Sequence, residues 1–186
     1  LRTVYNLTNV DAGFDRSRLV TFSMTLAAAN YPQPPARALV YQRLLLRLRA
    51  VPGIQAVSAM SGLPPNRPLN ANDTDMESYT APPEGPFENV DYYQSVMSDY
   101  FETMGIPIVQ GRAFTSTDPA SPGLVAVVNE ALVHTFWKGL NPIGQHLKAC
   151  CADQIPWFTV VGVANDVKQG GVDQKTGTEF YFLIDQ

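Results

Sequence analysis

The tightest constraint on this chain is a change of hydrophobic period within its first third. Residues 18–26, RLVTFSMTL, place Val20, Phe22, Met24 and Leu26 on one face and Thr21, Ser23 and Thr25 on the other, the repeat of a half-buried strand. From Pro35 to Ala50 the repeat lengthens: Val40, Tyr41, Leu44, Leu45 and Leu48 recur at helical spacing, with Arg37, Arg43, Arg47 and Arg49 largely off that stripe. Pro52 and Gly53 end the helix, because proline cannot continue the hydrogen-bond ladder and disfavours helical geometry in the residue before it. Residues 54–60, IQAVSAM, then predict a second strand. Strand, helix and strand within about 45 residues predict a βαβ-like unit of the ferredoxin-like kind. The four arginines read as a solvated helix face in preference to a docking site for an acidic partner.

Beyond Ser61 the pattern loosens. Residues 62–87 are rich in Pro, Asn, Asp and Gly and predict a long irregular excursion around a short strand near Thr74–Tyr79. Asp73, Asp75 and Glu77 alternate along that strand; without a glycine-turned ligand loop they read as a polar face and not a calcium site. ENVDYYQSVM, residues 88–97, alternates again with Val90, Tyr92 and Val96 on one side. Asp99 followed by Glu102 resembles a capping box, opening a helix of barely two turns anchored by Tyr100, Phe101 and Met104 and ended by Gly105 and Pro107. LVAVVN at 124–129 predicts a buried strand, and NEALVHTFW a helix turning Leu132, Val133, Phe136 and Trp137 inward and His134 outward. In NPIGQHL, Asn141 and Pro142 suit a turn with a preset φ and Gly144 a conformation costly for other residues, so this motif is a structural turn signature, with Gln145 opening the next strand. PWFTVVGVANDV supplies an apolar strand ending in an Asn-Asp corner, and EFYFLI a last strand.

Chemistry is harder to find. There is no glycine-rich phosphate loop between strand and helix, no G-x-S-x-G elbow and no HExxH, so no catalytic residue, cofactor-binding residue or metal ligand is expected. Asp166 and Asp173 flanking Lys168 read as loop polar residues, and His134 has no nucleophile or carboxylate spaced to work with it. Cys150 and Cys151 are adjacent, which disfavours relaxed bridging geometry, so two unlinked thiols are expected; with His146 they match no familiar zinc spacing. Thirteen Lys and Arg against 17 Asp and Glu leave a formal charge of -4, which lacks the basic excess a nucleic-acid partner calls for. No stretch reaches the roughly 18 apolar residues of a membrane span, and the start holds no signal-peptide core. Leu1 begins a helix-like pattern without a cap and the chain stops just after EFYFLI, so both ends read as cuts through a longer protein. The sequons NLT and NDT matter only in a pathway that glycosylates.

The order of motifs is more specific than any one of them. "GFDRSRLVTFSMTL", "YQRLLLRLRAVPGIQAVSAMSGLP", "DYFETMGIPIVQGRAF", "VVNEALVHTFW", "NPIGQHL" and "FTVVGVANDVKQGG" follow one another from about Gly13 to the end. Together they resemble the extracytoplasmic (periplasmic) core domain of MacB-like ABC transporter permeases of the FtsX-like superfamily, most of all the branch of duplicated orphan permeases.

The resemblance implies an α+β fold: a porter-like βαβ (ferredoxin-like) lobe with an inserted, smaller mixed α/β lobe. It implies a juxtamembrane lead-in at 1–14, the porter-like lobe at about 15–62 plus 151–186, and the second lobe at about 63–150. It also implies a domain inserted between the first two membrane helices of a bacterial inner-membrane permease and performing no chemistry. ATP hydrolysis at a cytoplasmic ABC ATPase would move the membrane helices, and the extracytoplasmic domains of two permease modules would approach and separate. Such mechanotransmission would drive efflux or envelope processes through a periplasmic adaptor or lipoprotein. A substrate- or lipoprotein-binding module is the alternative, and it expects an apolar groove near residues 62–87. Related permeases usually continue with another strand and a helix, so FYFLI is expected to be an exposed edge.

Overall fold

The computed structural model describes residues 10–27, 29–150 and 154–186. The pattern at Leu1 and the thiol of Cys151 therefore lie outside the described residues. Helix α1 spans Pro34–Arg49, opened by prolines that need no intrahelical donor in the first turn. The rest is built on eight strands: β1 (Asn72–Met76), β2 (Asn89–Val90), β3 (Tyr92–Val96), β4 (Ile108–Gly111), β5 (Leu124–Asn129), β6 (His146–Ala149), β7 (Phe158–Ala164) and β8 (Glu179–Leu183). Two short helices interrupt them, α2 (Tyr100–Met104) and α3 (Glu130–Phe136).

The strands form one mixed sheet in the order β2-β1-β6-β7-β5-β8-β3, with β4 also paired to β7. β7 is long enough to share one edge between β6, at Phe158 and Thr159, and β4, at Gly162 to Ala164. Its other edge runs parallel to β5. β7 and β8, grouped above with residues 15–62, thus share a sheet with the strands of 63–150.

Because side chains alternate across a strand, the two faces hold two separate cores. On one face Ala126, Val128, Val160 and Phe180 pack with Leu132, Phe136 and Trp137 from α3. On the other, Val96, Val127, Tyr181 and Leu183 pack with Tyr100, Phe101 and Met104 from α2. Edge-on ring pairs reinforce both, Tyr93 and Phe158 on Phe180 and Phe101 on Tyr181, each adding roughly 0.5–1.5 kcal/mol beyond area burial.

Several expectations need correction. Residues 18–26 join no strand ladder, and Val20 and Phe22 are 90% and 66% exposed, because alternation supplies a face and not a partner. Residues 54–60 contribute only a bridge from Met60 to Val96. EFYFLI is no edge: β8 lies between β5 and β3, both of whose ladders it completes. The 88–97 stretch breaks at Asp91, so Val90 joins the α3-side core and Val96 the α2-side core, instead of sharing a face. Asp99 makes no side-chain cap bond to α2; its carboxylate pairs with Arg49. Cys150 is disulfide-bonded, which overturns the expectation of two unlinked thiols.

Candidate functional site

Three features outside the cores could carry function: a backbone seam, a buried polar network and a cleft. The seam joins residues 11–15 to α2 and to the segment that follows β7. Lys168 N donates to Ala12 O at 3.0 Å, and Asp15 N donates to Met104 O at 2.9 Å. The approach is so close that a Cβ on Gly13 would lie 2.1 Å from the carbonyl oxygen of Asp166. A second close approach links β4 to β7, where a Cβ on Gly162 would lie 2.1 Å from Arg112 O. Motifs far apart in sequence, GFDR, MGI, GRAF and VVGVANDV, thus meet through their main chains, where no side chain fits.

The polar network lies inside the sheet. Asn129, at the N-cap of α3, accepts from Leu132 N at 3.1 Å and from Glu179 N at 2.9 Å, and its Nδ2 donates to Asp166 at 2.8 Å. Asp166 also accepts from Ala131 N at 2.9 Å, which engages it at the start of α3. Glu179 Oε2 accepts from Gln169 Nε2 at 2.9 Å and from the Tyr181 hydroxyl. Burial pushes the Glu179 carboxyl up to about 8, against the lowering effect of those donors, so it carries its proton at neutral pH. Burial and the same carboxyl hold the Tyr181 hydroxyl well above its ordinary range. Through Asn129 the network ties the start of β8 to the start of α3, with Asp166 at its half-buried end and the buried Gln169 Oε1 left without a hydrogen bond.

The cleft, about 1150 Å³, opens beside the 62–87 excursion. Arg67, Tyr92, His134 and Lys175 line it together with Leu69 and Phe87 at 65% and 66% exposure, so the lining is mixed and not the expected apolar groove.

The residues singled out from sequence do not converge. Asn141 Oδ1 accepts from Ile143 N at 3.2 Å and Gln110 Nε2 at 2.9 Å, Gln145 N donates to Pro142 O at 3.2 Å, and Gly144, at φ +90°, donates to Val160 O. His134 is exposed on α3. Lys168 Nζ reaches Gln174 O at 2.8 Å while Asp166 is taken by α3. Asp75 faces Lys148 at 3.5 Å and Glu77 faces the His146 ring at 2.6 Å, so two members of the carboxylate row are partnered by side chains of β6. Among the described residues no group of three or more His, Cys, Asp or Glu could hold a metal ion, and no helix is long and apolar enough to cross a membrane.

Sequence reasoning missed Glu179, Gln169 and Arg67. Asn129 was legible as a polar residue before a helical pattern. Glu179 looked like an ordinary strand end, and Arg67 was one residue in a proline-rich loop.

Comparison with known proteins gives these features a family. A search of the curated proteins returned no match. The periplasmic region of MacB from Actinobacillus actinomycetemcomitans aligns with a TM-score of 0.47 at 18% identity, over 78% of this chain and 55% of that one. The extracellular domain of the noncanonic ABC-type transporter YknZ from Gram-positive bacteria gives 0.50 at 16%, over 77% and 62%. A domain of a putative permease from Porphyromonas gingivalis gives 0.48 at 12%, over 75% and 54%. The chain therefore spans between about half and two thirds of the solved chains it resembles. The mixed α+β fold with its curled sheet is that of the YknZ domain. The profile of the MacB-like periplasmic core domain matches residues 4–185, so this chain belongs to that family and is an extracytoplasmic domain of a MacB-like ABC transporter permease.

Proposed function

We propose that the domain is a non-enzymatic transmitter of motion, coupling a cytoplasmic ABC ATPase, through the membrane helices of the parent permease, to work outside the membrane. The observation that carries this reading is the seam. Residues 11–15, where the proposed lead-in at 1–14 meets the core domain, are joined to α2 and to the segment that follows β7 by main-chain hydrogen bonds and a glycine that admits no side chain, so displacement of the lead-in would be passed to the sheet. A second permease module is the partner against which the sheet moves, and a periplasmic adaptor or lipoprotein receives the motion. A lobe division near residue 62, with 151–186 grouped with 63–150, is supported by the strands between Asn72 and Leu183 sharing one sheet, to which the described residues of 15–62 add no ladder. Asn141, Pro142 and Gly144 serve this design as a turn and not as a site.

Spin labels at the exposed positions Glu102 and Lys138 test the reading in the parent permease assembled with its ATPase. Trapping the ATPase with nucleotide is expected to change distances between modules while the distance within one module stays fixed. Unchanged distances between modules would sink the transmission reading, and so would ATP turnover by the isolated domain.

A second reading, a module that binds a substrate or lipoprotein, is supported by the cleft beside residues 66–69 and 86–92. It is compatible with the first if the bound molecule is what the motion delivers.

A further inference from the structure

The cleft is lined by a cation that forms no ion pair among the described residues. Arg67 is only 9% exposed, its Nη2 donates to Tyr93 O, and its Nη1 is buried without a hydrogen bond. Among the described residues it has no carboxylate partner. The acidic group near it, Glu179, is held protonated by burial, and the others are the hydroxyls of Tyr92, Tyr100 and Tyr181. A buried guanidinium without a counter-charge is costly, and a ligand anion is the direct way to offset that cost.

Tyr92 stands beside it, 7% exposed, with no hydrogen-bond partner for its hydroxyl among the described residues. Gly170 and Gly177 make room for this ring: a Cβ on the first would lie 2.5 Å from the hydroxyl, and on the second 2.8 Å from Cε2. The outer part adds positive charge from Lys175 and, when protonated, His134, both exposed. The acid in the lining, Asp91, counts as one negative charge, its Oδ2 accepting from Thr178 N at 2.8 Å and Oγ1 at 3.0 Å. Arg67 and Lys175 against Asp91 leave the lining a small positive excess on a chain of formal charge -4. At about 1150 Å³ it lies above the usual ~300–1,000 Å³ range of small-molecule pockets, and its rim carries exposed Leu69 and Phe87, so it fits a length of chain better than an enclosed small molecule.

We propose that this cleft is a docking site for an acidic, extended peptide segment of a partner protein, with Arg67 and Tyr92 taking a carboxylate and Leu69 and Phe87 packing on an apolar neighbour. The inference rests on the binding reading and leaves the transmission reading independent of it.

The test uses fluorescence anisotropy with the full 186-residue chain and a labelled short peptide alternating glutamate and leucine, set against the same peptide with glutamine in place of glutamate. The glutamate peptide is expected to bind, to weaken with added salt, and to lose roughly tenfold or more in affinity in Lys175→Glu, a substitution at an exposed position. Arg67→Met is expected to abolish binding, with its thermal unfolding recorded alongside to show that the variant is folded. Because Arg67 also holds Tyr93 O, Lys175→Glu and His134→Glu decide the question if Arg67→Met unfolds. Equal binding of the glutamine peptide would overturn the acidic specificity while leaving a binding cleft. Absence of binding by either peptide would overturn the inference and leave the broader binding reading, which requires no acidic peptide, standing.

Discussion

In β8, Phe180 and Tyr181 are 1% and 0% exposed; in residues 18–26, where apolar residues alternate just as regularly, Phe22 and Val20 are 66% and 90% exposed. The two stretches differ in what lies beside them. β8 has β5 on one side and β3 on the other, so both its faces are covered by the cores that α2 and α3 complete. Residues 18–26 have the Tyr41 hydroxyl of α1 on Met24 O, at 3.4 Å, and no ladder. Alternation therefore reports capacity for pairing, and tertiary neighbours decide whether it is used. The contrast also predicts a mechanical difference. Among the described residues of 16–62, the arm, only Leu45 is buried, and a segment with so few buried contacts is expected to open at lower free energy than the sheet, the block.

The sharpest way to test the stiffness of the block is Gly162→Ala. The added methyl meets the backbone oxygen of Arg112 at 2.1 Å, and backbone cannot swing aside as a flexible side chain can. A loss of about 3 kcal/mol is expected, read from the urea midpoint of unfolding. A loss under about 0.5 kcal/mol would mean that the β4–β7 crossing yields easily.

The next effect distinguishes the block by pH. The carboxyl of Glu179 shifts from an ordinary 4.5 to about 8 on folding, so between these values the folded chain holds a proton that the unfolded chain has released. Stability from this group is complete below about 4.5 and declines as pH rises toward 8, by up to about 1.4 kcal/mol per pH unit. Glu179→Gln keeps an acceptor and a donor in place of the protonated acid and is expected to flatten this slope. Unfolding curves of both proteins from pH 5 to 8 isolate the contribution; parallel pH profiles would show that Glu179 is ionised in the fold.

Gly13→Ala turns the comparison against itself, because the seam belongs to both regions. Its methyl would strike Asp166 O. Hydrogen exchange is expected to rise across residues 11–62 while the amides of β5, β7 and β8 keep their protection. Equal loss in both regions would make arm and sheet one cooperative unit. Gly144→Val is expected to cost less than either steric clash, about 1–2 kcal/mol by thermal unfolding, since φ is +90° but no atom lies within 4 Å of the added Cβ.

These outcomes reflect what was legible beforehand. α1, the pair of β5 and α3, and β7 were readable because local period and flanking residues decide them: Asn129 both ends a β-branched run and caps a helix. The six motifs were readable as a family because their order is specific. Neither kind of signal located β8 inside the sheet, because pairing with β3 and β5 joins residues 87 and more than fifty positions away. The network was hidden for the same reason. Glu179 becomes a buried, protonated acid only when Gln169 and Tyr181 close over it, and Arg67 becomes a buried cation only when its loop folds against β3. A lone charged residue in sequence announces neither.

The smallest expected effect concerns the ion pair between α1 and the residue before α2, Arg49 with Asp99. Both side chains are partly exposed, 39% and 33%, so water and salt weaken their attraction, and ordering a long arginine offsets much of what remains. Arg49→Met keeps most of the side chain's apolar length and should lower global stability by no more than about 1 kcal/mol. If the pair is what positions the arm, exchange in α1 will nevertheless quicken in the variant, and added salt will quicken it in the unaltered chain while leaving β5 untouched. If neither change is seen, α1 is held by its apolar stripe, of which Leu45 is the buried member, and the arm joins the sheet through packing and through the seam at Ala12 and Asp15.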